Sequence, residues 1–205
     1  MSLVEQNLND FAAALASKAA TPGGGGASAL AGALGISLGE MVGALTVGKP
    51  KYADVEEDLK ALMEKAEALR LRLLRCVDAD AEAFAPLGRA YAIPRDDPTR
   101  DEVMETCLHA AAAVPLEIFD LCCEAIQVLS HFGEMGSALA VSDAATGAVL
   151  CWGAMYGAAV NVKVNTKLMK DREYADEINR HVDRMMEKYW RVAEKTYEDI
   201  YGSMG

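Results

Sequence analysis

A chain of 205 residues is long enough to bury one substantial core, and with no Pro- or Ser-rich run to divide it the sequence reads as a single domain over 1–205. Its net charge of −11, from 31 acidic against 20 basic residues, excludes a nucleic-acid-binding surface, which needs clustered Lys and Arg to neutralise phosphates. Five cysteines without a Cys-x-x-Cys pair fit reduced thiols, and with acidic Glu5 and Asp10 and no apolar run near the start no secretion signal is expected and the cytoplasm is the expected compartment.

Val4, Leu8, Phe11, Ala12 and Leu15 recur at helical spacing, which predicts a short first helix ending before Pro22. Pro22 is followed by Gly23, Gly24, Gly25 and Gly26, and then by a run of small residues. Here the backbone can turn freely, and the first amides of the next helix lack intrahelical partners, so a carboxylate or phosphate could sit against Gly24 to Ala27. The alternative is a flexible connection, since the turn lacks the Lys-Ser/Thr of a P-loop and follows no strand.

The second helix is expected over about 27–47. On it Ala27, Ala31, Gly35, Gly39 and Gly43 fall four apart, a stripe with almost no side chain that another helix can approach closely. One charge in 21 residues, Glu40, makes the segment long and apolar enough for a membrane, but a Glu near the middle favours a helix buried in a soluble core. No membrane span is expected. Beyond it, Gly48, Lys49, Lys51 and Tyr52 form a cationic, aromatic bend, suited either to a flat anionic ligand or to an ordinary helix C-terminus.

A long amphipathic helix is expected over about 54–91, on the order of 55 Å, which implies a bend or a partner subunit. On it Asp80 lies three residues after Val77 and four before Phe84, on or beside the apolar face. Burial there would raise its pKa and suit it to proton transfer near neutral pH, unless Lys49 or another cation holds it ionised. Asp78, two residues away, is expected to be solvated; for either Asp the alternative is an ion pair with an arginine.

Pro94 and Pro98 mark a loop, and Thr99 is expected to cap a helix that Pro115 divides in two, the second part kinked and running to about Phe132. Ser142-Asp143 offers a cap for a helix to about Met169, and Asp143 reads as a cap first and a catalytic residue second. On that helix Asn161 and Asn165 stand one turn apart among small residues, where buried amides need backbone or ligand partners. A charged helix over about 171–201 ends the chain. Nothing reads as a strand, so the fold class is all-α: a helical bundle with long amphipathic helices and a Gly-rich inter-helix turn. Thr106, Val128 and Ile178 stand three before the histidines, not the Glu of a di-iron bundle, and no metal site is spelled out.

Taken together these motifs resemble a known family. Pro22-Gly-Gly-Gly25, Ala29 to Gly35, Met41-Val42, Leu45-Thr46, Gly48-Lys49, Tyr52, Asp80 to Phe84, Pro115, Ser142-Asp143 with Gly147, and Gly157 through Asn161 to Asn165 resemble the cyclodeaminase domain of formiminotransferase-cyclodeaminase. Bacterial stand-alone relatives of that domain act as methenyltetrahydrofolate cyclohydrolases. The chain departs from the family pattern at Gly26, where Ser is common, and at Thr166, where Leu is usual.

The resemblance implies a homodimeric helical domain that binds a reduced folate through Pro22 to Gly26, Lys49, Tyr52, Asp143, Asn161 and Asn165. Asp80 would be its proton-transfer residue, with no further cofactor. Methenyltetrahydrofolate cyclohydrolase leads because no formiminotransferase domain accompanies the motifs. Formiminotetrahydrofolate cyclodeaminase and a non-catalytic folate-binding bundle are the alternatives.

Overall fold

The computed structural model describes residues 2–204, and among these it is helical without a strand, as the apolar spacing predicts. The helices are α1 (Leu8–Leu15), α2 (Gly24–Ala44), α3 (Glu56–Ala90), α4 (Arg100–Met135), α5 (Val141–Thr166) and α6 (Arg172–Gly202), with a 3₁₀ turn over Pro50–Val55. Helix α4 packs against α3, α5, α2 and α6, and α2 lies between α3 and α5. The core is centred on α4, whose Ile118, Phe119, Ile126, Leu129 and Phe132 are fully buried. Each such side chain contributes roughly 1.5–3 kcal/mol of burial free energy.

Helix α2 runs antiparallel to α5. Its Gly24 faces Asn161, Ser28 faces Gly157, and Gly35 faces Gly147 and Cys151. Of the expected small-residue stripe Gly35 carries this packing, while Gly39 lies against Phe132 and Leu129 of α4 and Gly43 against Met63 of α3 and Phe132 of α4. A methyl group on Gly35 would lie 2.8 Å from the Gly147 carbonyl oxygen, so only glycine allows the two backbones to come this close. Ala27 and Ala31 instead lie on the rim, and Gly32, outside the stripe, takes the buried place against Cys122 and Leu73. Both α2 and α5 are apolar and long enough to cross a membrane, yet half of each apolar stretch is buried inside the bundle.

Several boundaries differ from expectation. The glycines are not a loop before α2 but its first turn, because backbone–backbone bonding begins at once with Ala27 N donating to Gly23 O at 3.0 Å. The helix stops at Ala44, and Gly48, with φ of 80°, turns the chain away. Ser142 and Asp143 do not cap α5: the helix starts at Val141, and both residues sit inside its first turn. Thr99 stands at the start of α4 but makes no cap bond; its hydroxyl donates to Asp97 Oδ1 at 2.7 Å.

Pro115 does not divide α4, which is one helix of 36 residues. A proline cannot donate to the carbonyl four residues earlier, here that of Ala111. That carbonyl accepts instead from Asn165 Nδ2 on α5 at 3.0 Å, which removes the polar cost of continuing the helix. Exposed Gly88 near the end of α3 has no such role, and a methyl there meets only its own Phe84 at 3.5 Å. Gly88→Ala is therefore expected to stabilise the fold by about 0.5–1 kcal/mol in urea denaturation, the ordinary helix gain of Ala over Gly.

Candidate active site

The first turn of α2 ends in a cluster drawn from three helices. Asp80 reaches it from α3, and its Oδ2 accepts a hydrogen bond from the Gly26 amide at 3.0 Å. The carboxylate thus takes the place of a side-chain cap, which Gly23 cannot supply. A methyl on Gly25 would overlap the Asp80 carboxylate, lying 2.6 Å from Oδ2, so glycine here is a condition for this seat. The anion expected against the glycine turn is therefore one of the protein's own carboxylates.

Burial raises the Asp80 pKa above its ordinary value of 3.8, and the Gly26 amide opposes that rise only in part. No lysine or arginine is among the causes, so the proposed ion pair with Lys49 is not what sets its charge. Asn161 completes the cluster from α5. Its Nδ2 donates to Gly157 O at 2.8 Å, and its carboxamide lies over Gly24, where a methyl would come within 2.9 Å of Nδ2. Ser28, which the sequence did not single out, is buried beside Gly157 and donates to Gly24 O at 2.7 Å. Its position one turn after Gly24 was the available signal. Pro22 is buried at the entry to the turn, and Gly24 is exposed.

Asp78 is not free in solvent. It is half-buried and accepts from Ser2 Oγ at 2.6 Å and from the Leu3 amide, which ties the N-terminal segment to α3. Among the described residues neither Asp78 nor Asp80 pairs with an arginine.

Lys49 and Tyr52 lie elsewhere. They follow the C-terminal end of α2, whose first turn is the glycine turn and whose 21 residues span about 30 Å at ~1.5 Å per residue. Lys49 Nζ donates to Ser137 Oγ at 3.2 Å, and the Tyr52 hydroxyl accepts from the Ala138 amide at 3.2 Å. That amide is the main cause of a lowered Tyr52 pKa, with Ser137 and Lys51 adding to it. Ser137 N in turn donates to Thr46 Oγ1 at 2.8 Å. Asp143, in the first turn of the antiparallel α5, belongs to this end of the bundle, not to Asp80. Within one chain the cationic bend and the aspartate do not converge.

Five clefts, of which the largest holds about 550 Å³ between α4 and α6, are lined by other residues and include neither Asp80, Asn161 nor Lys49. Asp80 and Asn161 are themselves partly exposed and flank exposed Gly24, so the cluster forms a polar edge.

Residues 7–184 match the family model described as formiminotransferase-cyclodeaminase. The chain belongs to this family. A methenyltetrahydrofolate cyclohydrolase of Methylorubrum extorquens is 36% identical over 199 residues, covering 95% of this chain and 96% of that protein. The formimidoyltransferase-cyclodeaminase of Mus musculus is 28% identical over 191 residues, and the chain spans only 35% of its length. The crystal structure of formiminotetrahydrofolate cyclodeaminase from Thermotoga maritima superposes with a TM-score of 0.85 at 28% identity, over 96% of this chain and 98% of that one. As a cyclodeaminase-family fold, the bundle accommodates its two departures. Beside Gly26 a methyl would meet the Val77 carbonyl at 3.4 Å, an ordinary contact, and buried Thr166 donates to Asn179 Oδ1 at 3.0 Å.

Proposed function

We propose that the protein hydrolyses 5,10-methenyltetrahydrofolate to 10-formyltetrahydrofolate, with Asp80 as the proton-transfer residue. The observation that carries this is the seat of Asp80: a largely desolvated carboxylate, fixed by the Gly26 amide and only partly covered, beside exposed Gly24. In its ionised form Asp80 accepts a proton from water as the water oxygen bonds to the amidinium carbon between N5 and N10. The resulting carbinolamine collapses when the C–N5 bond breaks, N5 takes the proton held by Asp80, and the carbinol hydroxyl loses its proton to solvent as the formyl carbonyl forms. One proton is released overall. The substrate cation is itself electrophilic and attracted to a carboxylate, so positioning and proton transfer supply the catalysis without a metal or cofactor.

Because Asp80 already occupies the glycine turn, the carboxylates of the folate tail would be repelled there. We assign the pterin and imidazolinium rings to the Asp80–Asn161 edge and the tail to a cationic end such as Lys49. A homodimer unites the two. Leu34 and Met41 of α2 and Leu45 just beyond its end are exposed with half-buried Leu38 among them, and Leu34, 54% exposed, stands at the midpoint of the helix. Antiparallel pairing of α2 through these residues about a two-fold axis sets the glycine end of one copy beside the lysine end of the other. Leu34→Glu is expected to give a monomer in analytical ultracentrifugation and at least a tenfold loss of turnover; a fully active dimeric variant would rule out this face. The five free cysteines, four of them buried, suit a reducing compartment, and we place the enzyme in the cytoplasm.

The likeness to the Thermotoga maritima protein favours a second reading, cyclodeaminase, in which the same carboxylate assists expulsion of ammonia from 5-formiminotetrahydrofolate. Purified protein offered each folate separately, with the methenyl absorbance followed, separates them. Faster loss of the methenyl signal supports the cyclohydrolase. Its appearance with ammonia supports the deaminase, and binding without turnover in both leaves a folate-binding bundle.

A further inference from the structure

Asn165 belongs to the motif that the sequence marks for ligand binding, and its contacts describe another duty. Its Nδ2 donates at 3.0 Å to Ala111 O on α4 and at 3.0 Å to Asn161 O on its own helix. A carboxamide nitrogen has two hydrogens, so both donors are committed. Ala111 O is the carbonyl left without a partner by Pro115, and Pro115 itself is buried in α4. Four residues before Asn165 stands Asn161, whose Nδ2 donates to Gly157 O a further turn back. Gly157, Asn161 and Asn165 thus form a ladder along α5, anchored to α4 at Asn165, with Asn161, its middle rung, over Gly24 and Gly157 against Ser28.

We infer that Asn165 is a positioning residue rather than a folate contact: it supplies the hydrogen that Pro115 lacks, so that α4 and α5 stay packed with Asn161 over the glycine turn instead of parting to hydrate the Ala111 carbonyl. This rests on the assignment of Asn161 to the active edge. Pro115 and Asn165 act as one unit, because an amide at position 115 would satisfy Ala111 O from within α4 and leave Asn165 dispensable. The same unit explains why a proline can stand inside a helix of 36 residues.

A double-mutant cycle tests the unit, with thermal unfolding and methenyltetrahydrofolate kinetics as its two measurements. Asn165→Ala alone should lower Tm by several degrees, since the Ala111 carbonyl loses its donor, and should cut kcat/KM about tenfold. In Pro115→Ala/Asn165→Ala the backbone amide restored at position 115 takes over, and both Tm and kcat/KM should return to within about twofold of the Pro115→Ala parent in rate and a few degrees in Tm. A double variant that regains Tm but not turnover would show that Asn165 touches the substrate and overturn the inference. If Pro115→Ala does not fold, the single Asn165→Ala decides: lost turnover with unchanged Tm overturns it, and a joint loss supports it. Should the unmutated enzyme prove inactive on folates, the functional assignment fails, while the Tm cycle still reads the coupling of Pro115 to Asn165 and sinks the inference if none is found.

Discussion

Asp80→Asn should lower kcat by about 10²–10⁴ while leaving the helical content and the assembly unchanged, as expected when a general base is replaced by a group that cannot take a proton. The fold should tolerate it because Asn Oδ1 can still accept from the Gly26 amide, the hydrogen bond that seats this carboxylate. Stability should rise rather than fall at neutral pH. Burial raises the folded-state pKa of Asp80 above the unfolded value of 3.8, so the native protein binds the proton more tightly than the unfolded chain does. Ionised Asp80 therefore costs stability, and the cost grows as pH climbs from 3.8 to the raised pKa and is complete above it. Relative to the parent, the Asn variant should gain Tm above that window and show no gain below it. Turnover of the parent should follow the opposite limb, increasing with pH as Asp80 ionises, with a midpoint above the ordinary aspartate value of 3.8. A fully active variant, or an acidic limb at an unperturbed carboxylate pKa, would remove Asp80 from the proton-transfer step.

Gly25→Ala is expected to be the most damaging one-carbon change near the site. In a helix this substitution ordinarily gains up to about 1 kcal/mol, but here the methyl overlaps the Asp80 carboxylate. Either the carboxylate leaves its seat or the first turn of α2 opens, and overpacking of this kind costs about 1–3 kcal/mol. Loss of position should reduce kcat/KM by about 10²-fold, the scale expected when a reacting group moves by an ångström. Urea denaturation and steady-state kinetics on the same preparation check both. An alanine at 25 with parental stability and rate would mean that this edge is not where the chemistry occurs.

Local chemistry in the sequence determined the helical class, the order of the helices and the inward-facing place of Asp80 on its own helix. Apolar spacing, proline and glycine punctuation and the place of Asp80 between Val77 and Phe84 all act within a few residues, and such short-range terms survive in any fold the chain adopts. The family motifs, spread in order from Pro22 to Asn165, carried the functional assignment, and the similarity to known cyclodeaminases and cyclohydrolases agrees with it.

Only the tertiary structure decided where those motifs meet. Lys49 follows Gly26 by two dozen residues, yet most of the intervening chain is a rigid rod, so the cationic bend is carried about 30 Å from the aspartate rather than folded back onto it. The glycines joined the helix with Asp80, 54 positions after Gly26, accepting from the Gly26 amide from another element. Pro115 did not break α4, and Asn165 gained a partner on another helix, for one reason, a hydrogen bond that spans 54 positions of sequence. Asp143 fell inside a turn because packing of α5 started the helix two residues earlier than its local cap signal. Hydrogen bonds between distant segments depend on how whole helices pack, and no window of neighbouring residues contains that information.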